Sequence, residues 1–452
     1  MSDNSVEPKP VFFDGSSIQE RANALFCGSE ILAPMVRAST TPLRALALQY
    51  GADLVYTEEI IDRKITLCNR IVNKELGTID YVKPISSYSK KVQKRLQKSG
   101  EIPLVLRLVP ELEKGRLIYQ MGTGESDLAL PAALAVQGDV DGIDVNMGCP
   151  KKFSVSGGMG SALLSDLPRA CDIIKTLSSN LDIPVSAKIR LLKDNASTVD
   201  FIRSLIKAGA NAITIHAREV GDESQDPAKW DRLVEVVRAV KAVESVPIII
   251  NGDLFTRNEM NRMKDRSGAD GVMLARPALY NVSLFKKPQT GEKFDTASVM
   301  YGYDSPLLED KTDVVKEYLR YASKYSGNLQ NVKYVVCEMM NNRRNPSHIV
   351  HKLPMKFDGG RTINTVCNCK TVDELAKLWN VNLSACASMV DGKQEQQRQQ
   401  PCGTDQHYDD RYFLDPEGLK REREQKEKKM QRRSIDNDER KGIDPNKRQR
   451  PE

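Results

Sequence analysis

Long hydrophobic runs are missing from this 452-residue chain. The longest mainly apolar stretch, Leu128–Val136, is interrupted by Pro131 and falls well short of the ~20 residues that cross a bilayer, so no membrane partner is expected. Met1–Pro10 is polar and lacks the apolar centre of a secretory leader. Histidine is scarce: there are four, three of them after residue 340. A catalytic zinc wants three His, Cys or carboxylate ligands at close range, so no metal is expected. The nine cysteines are odd in number and, apart from Cys367-Asn368-Cys369, have no repeated spacing. That pattern suits reduced thiols in a cytoplasmic or nuclear protein rather than a disulfide framework. No Gly-x-Gly-x-x-Gly follows a strand-like run, which argues against a Rossmann nicotinamide unit.

What is present is alternation. From Glu30 to Ala275 short apolar runs exchange with amphipathic segments. Strands are expected at Ile31–Pro34, Leu54–Tyr56, Leu117–Gln120, Gly142–Asn146, Val185–Ile189, Ala212–His216, Pro247–Asn251 and Gly271–Ala275. Helices are expected at Thr41–Tyr50, Leu167–Ser178, Thr198–Ala208, Ala228–Val243 and Arg257–Lys264. Eight strands over about 250 residues imply an α/β fold, a closed (β/α)8 TIM barrel. The run Leu104–Leu108 is surplus to eight and reads as a hairpin partner near the third strand. After residue 285 the alternation stops. Tyr318–Tyr325, Val332–Asn341 and Val372–Trp379 read as helices of a small all-helical domain over residues 306–389. A polar linker, including Gln394–Gln400, and a basic tail follow over residues 390–452, and residues 1–29 form an N-terminal extension. The net charge is +6, and Pro416–Glu452 alone carries thirteen basic against nine acidic residues. Such mixed-sign runs are usually solvated or disordered; contact with a polyanion is the second reading. No oligomer is implied.

Polar residues recur where the expected strands end, the face on which barrel enzymes build their sites. Asn251-Gly252-Asp253 and Ala275-Arg276 follow strands seven and eight, the usual phosphate position of such barrels. Gly252 would allow close backbone approach, and Arg276 can fork onto phosphate oxygens. Lys188 ends an otherwise apolar strand and needs an anionic or electron-rich partner; Gln120 offers both donor and acceptors; His216 can donate to a phosphate or a ring. Cys149 lies in the loop after Gly142–Asn146, where a thiol can serve as nucleophile, metal ligand or proton donor. Scarce metal partners weaken one role, and the lack of a residue clearly orienting His216 as a base weakens another.

These segments, together with Leu32-Ala33-Pro34-Met35-Val36, Tyr56-Thr57-Glu58-Glu59, Gln120-Met121-Gly122-Thr123, Asp144-Val145-Asn146-Met147-Gly148-Cys149-Pro150 and Gly157-Gly158-Met159-Gly160, resemble the tRNA-dihydrouridine synthases, most closely the eukaryotic branch acting on uridine 20 of the D-loop. The resemblance implies an FMN-bearing barrel, a helical tRNA-binding domain, and NADPH as reductant for the C5–C6 bond of a tRNA uridine. It implies that Cys149 protonates C5; that Pro34, Met35 and Val36 cradle the flavin ring; that Gln120 and Lys188 contact its polar edge; and that His216, Asn251, Gly252, Asp253, Ala275 and Arg276 hold ring or phosphate. Asn146, Lys151, Lys152, Arg190 and Lys333 are implied on the substrate side. A thiol with an ordinary pKa near ~8.5 is mostly protonated at neutral pH, as a proton donor requires. Two departures stand out: Ala275 replaces the glycine of many relatives, and no double-stranded-RNA-binding pattern follows Met389. The rival readings are a flavin reductase of free pyrimidines and a tRNA-binding, chaperone-like protein without turnover.

Overall fold

A computed structural model describes residues 15–100, 102–287, 309–340 and 362–383. Twelve strands are present among them: β1 Glu30–Leu32, β2 Leu54–Tyr56, β3 Ile60–Ile61, β4 Asn69–Asn73, β5 Thr78–Val82, β6 Leu104–Leu108, β7 Leu117–Gly122, β8 Gly142–Asn146, β9 Val185–Arg190, β10 Ala212–His216, β11 Ile248–Asn251 and β12 Gly271–Leu274. Eight of these, β1, β2 and β7 to β12, pair in parallel and close through β2–β7 into a barrel, with β3 added beside β7. The expected strands β2, β8 and β10 have the observed boundaries. The others differ by one or two residues at their ends.

Alternation along each strand sends every second side chain inward. The lower interior is dry: Ile31, Leu54, Tyr56, Ile118, Ala212, Ile249 and Met273 form one buried cluster. Ala22, Leu25 and Phe26 of the helix Ile18–Phe26 plug this cluster from below. Ser17 and Glu20 close a reciprocal capping box at that helix's start. Part of the expected N-terminal extension is thus barrel core. Above the dry layer the register aligns a polar one, pairing Gln120 with Asp144, Asn146 with Lys188, and His216 with Asn251.

Residues between β2 and β7 form an insertion. Here β6 pairs antiparallel with β5, and β5 with β4, in a separate three-stranded sheet. Leu104–Leu108 is therefore a hairpin partner, and the strand it pairs with is β5. Strand β5 breaks the simple apolar pattern because Thr78 and Asp80 are buried polar residues. Asp80 is satisfied by a two-pronged contact from Arg107 on β6, at 2.7 and 2.6 Å. A second pair, Arg44 with Glu113 at 2.6 Å, is almost wholly buried and joins the helix Thr41–Gln49 to the insertion's end. Removing either partner would leave a buried charge, a loss of about 3–5 kcal/mol.

The helices Lys311–Tyr325, Leu329–Met340, Ile363–Asn368 and Val372–Leu378 follow the barrel. Val314, Tyr318, Leu319 and Trp379 belong to the same buried cluster as Leu43, Leu46 and Ala47 of the helix Thr41–Gln49, so this segment shares a core with the barrel. Trp379 is a core anchor. Residues 1–14, the linker and tail at 390–452, and three of the four histidines lie outside the described residues, as do parts of the expected helical domain. Among the described residues no helix is long and apolar enough to cross a membrane.

Candidate active site

Cys149 sits just past β8, and its loop is shaped by Asn146. The Asn146 side-chain oxygen accepts the backbone N–H groups of Gly148 and Cys149 at 3.0 and 3.1 Å. This local turn reverses the chain and presents the thiol at the strand end. Gly160, at φ +60°, lies against the loop: a Cβ there would stand 2.6 Å from the Cys149 carbonyl oxygen. The Ser154 hydroxyl meets Cys149 Sγ at 3.5 Å. Arg190 donates to the Gly148 carbonyl at 2.8 Å and the Glu219 carbonyl at 2.9 Å. Arg190, expected on the substrate side, uses these donors to tie the Cys149 loop to the loop after β10.

Beneath the thiol, Gln120 gives its side-chain N–H to Asp144 at 2.8 Å, and the Ser186 hydroxyl gives to the other Asp144 oxygen at 2.7 Å. Burial pushes the Asp144 carboxyl up to about 6, against the lowering effect of Gln120, Ser186 and Lys188. Gln120 thus spends one of its two N–H donors on Asp144, and its carbonyl oxygen faces the Asn146 amide. The Lys188 ammonium has no hydrogen-bond partner among the described residues. Burial first, and then Arg190, lower its pKa to about 8, while Asp144 and Cys149 oppose the shift.

His216 marks the second half of the site. Burial and four converging cations, Lys188, Arg190, Arg218 and Arg276, hold its pKa well below the ordinary value. The imidazole is therefore neutral, and Arg218 reaches its Nε2 at 3.4 Å. A guanidinium can only donate, so Nε2 accepts and Nδ1 carries the proton. Asp253 takes Arg218 on one oxygen and Arg276 on the other, both at 2.6 Å. Both oxygens are occupied, so the Asp253 side chain fixes two guanidiniums, leaving only its backbone to meet an anion. Asn251 donates to the Met273 carbonyl, locking β11 to β12. At Gly252 a Cβ would stand 2.8 Å from the Trp230 ring. Glycine is needed there for the indole behind it as well as for any ligand in front. Ala275, where many relatives have glycine, has φ −104°, outside the left-handed region that favours glycine.

The loop Pro34-Met35-Val36 lies at the end of β1, with Val36 half exposed. The next residue, Arg37, has φ +70°, in the left-handed region that side chains avoid. Its N–H is held by Glu58 at 2.9 Å, and its guanidinium lies 4.8 Å above the Tyr334 ring and reaches the Gln330 carbonyl. Lys151 and Lys152 are exposed at the rim, beginning a short helix. Lys333 points the other way: it is buried, and its ammonium donates to the Cys367 carbonyl. Three groups belong to the site that sequence alone does not single out: Asp144 and Glu59, present only within quoted motifs, and Arg218 just past β10. Burial raises the Glu59 carboxyl, while Cys149 and Asn146 nearby favour its ionised form. Its Oε1 is buried without a hydrogen bond of ordinary geometry.

Comparison with known proteins settles the ancestry of this mouth. The profile of the family described as Dihydrouridine synthase (Dus) matches residues 31–352. The chain belongs to the dihydrouridine synthase family. A Schizosaccharomyces pombe protein named tRNA-dihydrouridine(20) synthase, with NAD(P)+ in its name, is 36% identical over 316 residues, covering 68% of this chain and 59% of its own length. A Saccharomyces cerevisiae protein of the same name is 34% identical over 325 residues, covering 70% and 78%. A Mus musculus relative, named for positions 20a/20b, is 29% identical over 259 residues, covering 57% and 68%. The family match begins after the plug helix Ile18–Phe26 and runs on past the barrel into the helices that share its core.

Proposed function

We propose that this dihydrouridine synthase reduces the C5–C6 bond of a tRNA uridine, at position 20 of the D-loop, with FMN as its bound cofactor and NADPH as the source of electrons. The carrying observation is a single mouth that combines a thiol on a pinned loop with a cluster of cations in excess of their carboxylates. Lys188, Arg190, Arg218 and Arg276 converge on His216, while the two buried carboxylates among them, Asp253 and Asp144, are already engaged. That donor set fits FMN. Arg276 and the Nδ1–H of His216 suit a phosphate dianion, Lys188 suits the electron-rich edge of a flavin ring, and the Pro34–Val36 loop offers a surface for the ring itself. The chemistry such a group supplies when bound is a hydride equivalent for C6 of the uracil.

The chain's own residues do the rest. Cys149 holds the proton destined for C5, on the face of the loop that Asn146 shapes. Lys188 and Arg190 both lie within electrostatic reach of Cys149. Lys151 and Lys152 stand at the rim where a phosphate backbone would pass, and a uridine must be turned out of its stack to reach the thiol, which costs a few kcal/mol. The relatives' names support position 20 over 20a/20b, because the two more similar relatives carry it.

The deciding experiment is Cys149→Ala. The variant should bind FMN and tRNA as the parent does, with tRNA reduction slowed by about 10²–10⁴, the usual contribution of a general acid. A variant that reduces tRNA normally, or that loses its flavin, would overturn the proton-donor role. A parent protein that forms no dihydrouridine would overturn the function.

A further inference from the structure

The insertion between β2 and β7 carries a helix that the site does not use. Between Asp80 and Glu101 there are six lysines and arginines and no acidic residue. Five of the six lie on the helix Lys90–Ser99, which ends at Gly100 in the left-handed conformation at φ +65°. Leu96 is buried and Val92, one turn earlier, is half-buried, so the apolar face is turned inward. Lys90, Lys91, Lys94, Arg95 and Lys98 are all exposed, and none has an ion pair or hydrogen bond to a described residue. This differs from many cations elsewhere on the surface: Lys229, Arg232, Lys241, Arg266, Lys287 and Lys316 each meet a carboxylate.

The helix is also well placed. Its insertion leaves the barrel after β2, at the strand ends that carry the site. Strand β6, which follows the helix, touches the helical segment: Arg107 donates to the Tyr325 carbonyl, and Leu104 packs against Gly327. Four helical residues rise ~6 Å, so Lys90, Lys94 and Lys98 form a row ~12 Å long. A nucleic-acid duplex presents on the order of one charge per 1.7 Å of axis over that length. A membrane surface fits less well, because interfacial helices need an outward apolar face and this one has its apolar residues inside.

We propose that the exposed face of the helix Lys90–Ser99 docks the phosphate backbone of the RNA substrate, outside the uridine pocket. This rests on the reading of the chain as a tRNA uridine reductase. It assigns RNA affinity to a region separate from both the barrel mouth and the C-terminal tail. The contact is electrostatic and blind to sequence, so it should release counterions and respond strongly to salt.

The test is a variant with Lys91, Lys94, Arg95 and Lys98 all changed to Gln, in the full-length protein. Binding of unmodified tRNA is measured from about 50 to 200 mM salt. The expected result is a log–log salt slope shallower by ~2–3 and affinity lowered at least ~tenfold near 150 mM. The melting transition and NADPH consumption without RNA should match the parent. An unchanged slope and affinity overturn the proposal. So does a parent, but not the variant, that sediments with phosphatidylserine vesicles while tRNA affinity is the same in both. Dihydrouridine formation by the parent at saturating tRNA reports on the reductase reading separately. A parent that forms dihydrouridine while the variant keeps full tRNA affinity removes the helix proposal alone.

Discussion

Two groups of cations divide this molecule. At the barrel mouth, Arg218 and Arg276 are held on opposite oxygens of one buried aspartate, and Arg190 is fixed by two carbonyls. On the helix Lys90–Ser99 five cations stand in water with no partner among the described residues. The first group is organised before any ligand arrives, so little freedom is lost on binding and the geometry of the anion is specified. The second keeps its freedom, and its attraction is long-ranged, tolerant of shape and weakened by salt. One arrangement suits a single phosphate in a set place; the other suits a long polyanion arriving in many orientations.

The strongest way to break this contrast is to remove the organiser. Asp253→Asn leaves Arg218, which is 2% exposed, without its counter-charge. A loss of about 3–5 kcal/mol in denaturant unfolding is expected, with a clear drop in flavin affinity on titration; an unchanged protein would mean that the arginines organise themselves. Gly252→Ala works from behind the same site. Its new methyl meets the Trp230 ring, and a loss of about 1–3 kcal/mol should appear in the melting curve. The pH dependence sharpens the contrast further. Lys188 loses its proton near about 8, so its positive charge is present below that value and absent above it. Flavin affinity should fall as pH rises through 8 in the parent, and Lys188→Gln should be weak and flat over the same range. The smallest effect belongs to single changes on the helix. Lys94→Gln should weaken tRNA binding only a fewfold and reduce the salt slope by ~0.7–0.9, with flavin affinity untouched.

The barrel was readable because its rules are local. Short apolar runs give β2, β8 and β10 to the residue, and the polar strand ends converge because a closed parallel barrel brings them together. The insertion was not readable for the opposite reason. Strand β4 is exposed along most of its length, so no buried face imposes a pattern, and β5 hides Asp80, whose partner lies 27 residues away. The site divides along the same line. Cys149 and Lys188 announce themselves by residue type and position. The roles of Asp253, Gln120 and Lys333 depend on Arg218 with Arg276, on Asp144, and on the Cys367 carbonyl, none of which is a sequence neighbour. Residue type told what could bind; only the fold told which donors were already spent.

Arg37 has a consequence for how the protein is made. The turn that carries it lies in the first tenth of the chain, yet its left-handed backbone is steadied through a side chain resting on Tyr334 and Gln330. On a ribosome, where N-terminal parts fold first, every barrel strand has been synthesised before those two residues appear. The rim of the pocket is therefore finished late. A chain released before residue 334 would have all the strands of its barrel but neither the lip's support nor Val335, Val336, Met339 and Trp379 of the shared core, so premature termination there should give a destabilised protein with a poorly formed pocket.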